Sequence, residues 1–502
     1  MSLFRTKPIE NSIADADEPG RRLKRSLTTW DLMIMGVAVA VGAGIFSVGA
    51  RAAGQFSGPA VTLSFVLAAV TCALAIMCYA EFATAIPVAG SAYVFTYATM
   101  GELVAWIIGW NLILELFTAA AVIAKYWGIY LSEVFGLIGL DVPATLDLGP
   151  LTLTWGPFFI VAVFTFLLVM GTKLSARVGN VFTIIKVGVV LFVIVAGFFY
   201  VKAENYTPFI PDPVSTATDG TTGVLQQSLF SFLTGAAPAQ YGLFGVFAGA
   251  AIVFFAFIGF DVVATSAEEV KDPGKTLPRG IFAGLGVVTL LYIGVSLALT
   301  GMVPYTALAE AEDPNLATAF ALVGNDGAAS VIAVGSLIGL TTVIMVLLMG
   351  LARVVLAMSR DGLLPRSLSR TSDKHSTPAR LQILCGALVA IVAGFTQVDV
   401  LEEMINIGTL SAFVVVSLGI LVLRKKRPDL RPAFRVPFGP VIPVLSAVLC
   451  LYLMTNLAVE TWIYFAGWLL IGFLLYFAYG QRHSRLNEKF AAVAPAEAGD
   501  AV

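Results

Sequence analysis

Apolar runs follow one another along this 502-residue chain, separated by short polar stretches, and most are long enough to cross a bilayer. A spanning helix needs about 20 mostly apolar residues. Runs of this kind cover residues 29–53, 59–86, 101–132, 154–171, 178–201, 241–269, 281–301, 328–358, 380–397, 401–423, 438–457 and 460–480. The pattern predicts an all-α integral membrane protein with 12 transmembrane helices. Several runs exceed what the bilayer needs, so tilted or extended helices are expected.

Two of the runs are interrupted at matching places. The first carries Val41-Gly42-Ala43-Gly44-Ile45-Phe46, and the sixth carries Phe255-Ala256-Phe257-Ile258-Gly259-Phe260-Asp261. Lipid cannot satisfy the amides and carbonyls that a loosened helix exposes, so such a break survives only where it lines a cavity or binds something. Paired interruptions five segments apart point to the ligand site of an inverted-repeat carrier of a small polar solute.

Composition agrees with a membrane setting: 58% of residues are hydrophobic and 12% charged, with a mean hydropathy of +0.89. The net charge of −2 names no partner, but its distribution sets an orientation. Of the 30 Lys and Arg residues, 25 lie on one side if both termini are cytoplasmic, with only Arg51 and Lys202 opposite and Lys125, Lys186 and Arg353 within runs. By the positive-inside rule this predicts cytoplasmic termini and an even number of spans in the plasma or inner cell membrane. The first 25 residues hold acids and a proline but no apolar run, so no cleavable leader is expected. Both tails read as solvated polar or Ala-rich segments without chemistry. The basic stretch Arg424-Lys425-Lys426-Arg427 suits contact with anionic lipid at the inner leaflet. The loop at 202–240 reads either as a cover for the outer mouth or as plain linker.

Cys72, Cys78, Cys385 and Cys450 lie in apolar runs at no metal-ligand spacing, and neither histidine lies within a span. No metal, cofactor or nucleic acid is therefore expected, and histidine is excluded as an intramembrane proton carrier. Ionisable residues inside the runs carry more signal, because each is expensive in lipid and tends to face a cavity or a partner. Lys125 near an outer end reads as snorkelling to the headgroups. Glu268, Glu269 and Arg353 near inner ends read as interfacial or gate pairs. Glu115 and Lys186, deep in apolar sequence, read as binding and coupling groups, with a mutual structural salt bridge as the plain alternative.

At these residues the chain resembles the amino acid–polyamine–organocation superfamily, and within it the bacterial members of the cationic amino acid transporter branch. The resemblance rests on Gly42-Ala43-Gly44-Ile45-Phe46, Pro87-Val88-Ala89-Gly90-Ser91-Ala92-Tyr93, the stretch from Phe254 to Thr265, Glu268-Glu269-Val270-Lys271-Asp272-Pro273, and Ala357-Met358-Ser359-Arg360-Asp361-Gly362-Leu363-Leu364-Pro365, and it runs from about 25 to 480. It implies two inverted five-helix repeats, 29–201 and 241–423, joined by the extracellular loop 202–240. Two further helices would occupy 424–480, and cytoplasmic tails 1–28 and 481–502. Helices 1 and 6 would be discontinuous.

The resemblance also implies a substrate site at Val41, Gly42, Ala43, Gly44, Ile45, Glu115, Phe255, Ala256, Phe257 and Ile258. An amino acid's carboxylate suits free amides at the positive end of the second half-helix of the first break. Its ammonium suits carbonyls freed near Phe255, Ala256 and Ile258. Phe255 and Phe257 read as a cover over the ligand or as plain packing. Lys186 matches a fifth-helix lysine of bacterial members, whose ammonium would stand where sodium-coupled relatives of the fold hold sodium. Lys186, Glu115 and Asp261 are then candidates for carrying the coupling proton. The implied activity is import of amino acids, arginine or lysine first, by proton symport. Exchange against an internal amino acid or amine is the alternative, and signalling without flux a more distant one. A channel would need a continuous polar pore and an enzyme a convergent catalytic set; the chain offers neither. A small accessory subunit is left open.

Overall fold

A computed structural model describes residues 5–6, 27–85, 91–147, 149, 152–171, 176–215, 223–236, 239–260, 263, 270, 272–369, 377–430 and 432–486. Asp261, Glu268, Glu269, the start of the motif at Pro87–Gly90 and most of both tails lie outside these residues. The principal helices are α1 (Thr29–Ala40), α2 (Val61–Ala85), α3 (Ser91–Thr99), α4 (Glu102–Leu137), α5 (Gly156–Val169), α6 (Ala176–Phe198) and α7 (Gly242–Val253). They continue with α8 (Pro273–Met302), α9 (Asp326–Arg360), α10 (Ala379–Phe395), α11 (Val398–Lys426), α12 (Val441–Thr455) and α13 (Val459–Leu475). Among the described residues, seven helical stretches are long and apolar enough to cross a membrane, and five shorter apolar helices accompany them.

Local sequence explains where these helices start and stop. A capping box between Thr28 and Asp31 opens α1, and the Asn325 side chain caps α9 through the Ala328 amide. The first apolar run divides because α1 ends at Ala40 and helical structure resumes at Gly44 as a π-turn that continues through Ser57. In the middle of the molecule α4 packs most extensively on α9 and then on α11. Phe166, Ile184, Val195, Leu290, Ile391 and Leu474 point outward and stay exposed on the peripheral helices. Apolar exposure on this scale is what lipid covers.

Both described ends of the chain meet at one place. Glu102, fully buried at the start of α4, receives an ion pair from Arg5 at 3.6 Å and hydrogen bonds from Tyr476 and Ser484. Arg5 and Ser484, one from each tail, thus anchor to a buried carboxylate. Nearby, Glu81 of α2 takes two bonds from Arg424 of α11, at 2.8 and 2.6 Å. At the opposite end, the loop after α6 pairs β1 (Val214–Ser215) with β2 (Ala239–Gln240). The Leu229 and Val459 amides bond to the Leu457 and Gln227 carbonyls and stitch that loop to the α12–α13 turn.

Candidate functional site

The first interruption follows directly from which backbone bonds can form. The Val41 amide makes the last regular bond of α1, to Val37 at 3.0 Å, and Val41 then turns extended (ψ 92°). The carbonyls of Ala38 and Ala40 are left without helical partners. Side chains from other helices take them up. Lys186 of α6 donates to the Ala38 carbonyl at 2.5 Å, and Tyr292 of α8 donates toward the Ala40 carbonyl at 2.6 Å. Beyond the gap, the Gly42 carbonyl accepts from the Ile45 and Phe46 amides at 3.2 and 3.3 Å. The amides of Gly42, Ala43 and Gly44 therefore stand ahead of the first helical bond, at the positive end of the second half.

The second interruption is built the same way. Helix α7 gives way to a 3₁₀ turn, Phe254–Phe257, then to extended Ile258 (ψ 142°) and to Gly259 at φ +105°. Only glycine adopts that last conformation without strain. The Ala256 carbonyl also faces the Tyr292 hydroxyl, at 2.8 Å, while Asn406 of α11 donates to the Ile252 carbonyl at 3.1 Å.

The two interrupted stretches lie against each other and run antiparallel. Gly36 packs under Phe260, Val39 against Gly259, Gly44 against Ala256, and the Tyr241 hydroxyl bonds to the Gly54 carbonyl. At Gly44 the approach is to backbone, since a Cβ there would overlap the Ala256 Cα at 2.4 Å. Gly42 differs: the nearest atoms a Cβ would meet are Val343 Cγ2 at 3.8 Å, Ile123 Cδ1 at 3.9 Å and the Ala40 carbonyl oxygen at 4.0 Å, ordinary contact. The roomier side of the break thus faces an aliphatic wall from α4 and α9.

The sequence-predicted residues divide accordingly. Gly44 and the turn it opens come together with Ala256 and the Phe254–Phe257 turn, and Lys186 reaches the first break with its stem laid across Gly339. Phe257 turns into an aromatic cluster with Phe65 and Tyr292, at ring-centroid distances of 6.4 and 5.2 Å. Phe255 is buried beside it. Glu115 is buried in α4 but sits about two turns, roughly 12 Å of helix, from Ile123. Lys125 does not snorkel: its ammonium takes the Ala393 and Thr396 carbonyls at the end of α10. Beside it in the loop before α9, burial and neighbouring Glu312 push the Asp313 carboxyl above its ordinary range, with Lys125 opposing.

Arg51 corrects the charge map. It was expected on an outer loop, yet the helical continuation past Gly44 buries it. Its guanidinium pairs with Glu402 at 2.8 Å and with Asp399, both on α11, and Tyr126 donates to Glu402 at 2.6 Å. Tyr292, Asn406 and Glu402 escaped the sequence reading. The available signal was a hydroxyl, an amide or a carboxylate in or beside an apolar run, each of which needs a buried partner.

A multi-pass membrane protein with two facing helix breaks is thus defined by the fold. Residues 27–478 match the amino acid permease family, and the chain belongs to it, within the amino acid–polyamine–organocation superfamily. It is 42% identical to the branched-chain amino acid permease BcaP of Bacillus subtilis, over 97% of this chain and 99% of the relative. It is 40% identical to the methylthioribose transporter of the same organism, over 97% of this chain and all of that protein. The vacuolar cationic amino acid transporter 2 of Arabidopsis thaliana is 37% identical over 86% of this chain, which spans 64% of that longer protein.

Proposed function

We propose that the protein is a secondary carrier that imports neutral aliphatic amino acids by alternating access. The carboxylate of the ligand would sit on the Gly42–Gly44 amides, and its ammonium near the carbonyls around Phe255 and Ile258. The observation that carries this reading is Gly42 facing the side chains of Ile123 and Val343, since aliphatic neighbours suit an aliphatic side chain. The likeness to a branched-chain amino acid permease supports it. We place the chain in the membrane as 12 spans in a 5+5 inverted repeat, with both termini cytoplasmic, on the strength of the charge bias and the antiparallel breaks.

Coupling is assigned to protons. The Lys186 ammonium already fills the carbonyl of Ala38 that a sodium ion would otherwise meet, so the cycle proceeds without sodium. Lys186, with Glu115 and Asp261 as the other intramembrane candidates, takes the proton through the cycle. A cationic substrate is the second reading, favoured by buried Glu115 and by the cationic transporters among the relatives.

Proteoliposomes in sodium-free buffer, given labelled leucine, alanine, arginine and methylthioribose with and without an inward proton gradient, test the whole reading. Gradient-driven accumulation of leucine is expected. Accumulation of arginine alone would move the side-chain recognition to Glu115. Flux that requires preloaded amino acid would replace symport by exchange, and uptake of methylthioribose alone would remove amino acids as the cargo.

A further inference from the structure

We propose that Tyr292 is a positioning residue that ties the two interrupted helices together through one shared proton; this rests on the carrier reading above. Its hydroxyl lies 2.6 Å from the Ala40 carbonyl on one break and 2.8 Å from the Ala256 carbonyl on the other. A phenol has a single proton to donate. Both oxygens are backbone acceptors that lost their helical partners, and both are buried, so each depends on that proton. The ring is held in place by Phe65 and Phe257, with centroids at 5.4 and 5.2 Å. The hydroxyl therefore has no freedom to abandon one helix without the tyrosine leaving its aromatic cage.

The arrangement has a consequence for binding. A ligand that spans both breaks meets them in one relative position, fixed in part by this bond. Without the bond the two segments would have to be brought into place at each binding event, and the ordering would be charged against affinity. Other side chains bond to carbonyls at or beside one break. Lys186 serves the first only, and Asn406 the second only.

Transport of whichever of leucine, alanine or arginine the wild type accumulates provides the test; a wild type that moves none of them refutes the carrier reading and not this bond. Tyr292→Phe should raise KM about tenfold, the consequence of one orphaned buried acceptor, with Vmax per folded protein changed less than about twofold. Incorporation of para-aminophenylalanine at 292 keeps the shape and supplies two N–H donors, one for each carbonyl, and should restore KM. A para-methoxyphenylalanine, which has no donor, should not. An unchanged KM in Tyr292→Phe, or a raised KM that the amino analogue fails to restore, overturns the proposal. If Tyr292→Phe does not fold, fluorinated tyrosines grade donor strength at constant shape: KM should fall as the donor strengthens, and a flat series overturns the proposal equally.

Discussion

Two glycines two residues apart in the first break have opposite jobs, and single substitutions separate them. Gly44 is pressed against Ala256, so Gly44→Ala forces the broken helices apart and should destabilise by about 1–3 kcal/mol, seen as a lower Tm of the purified protein. Gly42→Ala places its methyl in ordinary contact with Val343 and Ile123. It should leave Tm nearly unchanged and raise KM for leucine, because the methyl takes up the room beside the amides. Equal Tm losses in both variants would show that Gly42 is packing and not part of the site. Lys186→Ala is a different kind of change. It orphans the Ala38 carbonyl and removes the proposed proton carrier together, so gradient-driven accumulation should vanish. Retained accumulation in that variant would end the coupling role.

At the scale of elements, the buried charges near Arg51 tie the second half of the first interrupted helix to α11. Glu402→Ala leaves the guanidinium in a buried setting with only largely exposed Asp399 as partner, and should destabilise by about 3–5 kcal/mol. The double variant Arg51→Met/Glu402→Leu should recover most of that loss in thermal unfolding, since an apolar pair needs no compensation. A double variant no more stable than Glu402→Ala alone would mean that the pair contributes net stability. This bridge also marks the limit of what one sequence displays. Helix positions were legible because lipid demands long apolar runs: the run 328–358 became Asp326–Arg360, and 401–423 became Val398–Lys426. The breaks were legible because glycine is the residue that relaxes a helix. Partners across helices were not. Arg51 and Glu402, or Tyr292 and Ala40, meet only through packing registers that residue pattern along a single helix does not encode. A charge at the edge of an apolar run, as Arg51 is, reads as a loop until its distant partner is known. Tyr292 and Asn406 carry no charge, so a search for ionisable groups passed them over.

For the molecule as a whole, orientation in the membrane is the property on which the proposed import depends, and two independent lines support the orientation proposed. With buried Arg51 set aside, the 25-to-1 distribution of basic residues argues for cytoplasmic termini. The convergence of Arg5 and Ser484 on Glu102 puts both ends of the described chain on one face, as an even number of spans requires. All four native cysteines are buried, so thiols placed at exposed positions stand out against a quiet background. Glu204→Cys, in the loop after α6, should react with a membrane-impermeant maleimide added to intact cells. Lys425→Cys, at the end of α11, should react only after the membrane is opened. The two sites are on opposite faces only if the spans between them are odd in number, which the predicted helices from the sixth through the tenth provide. Labelling of both from outside would remove one span from that count. The reverse pattern would turn the carrier over and make the same proton coupling serve export.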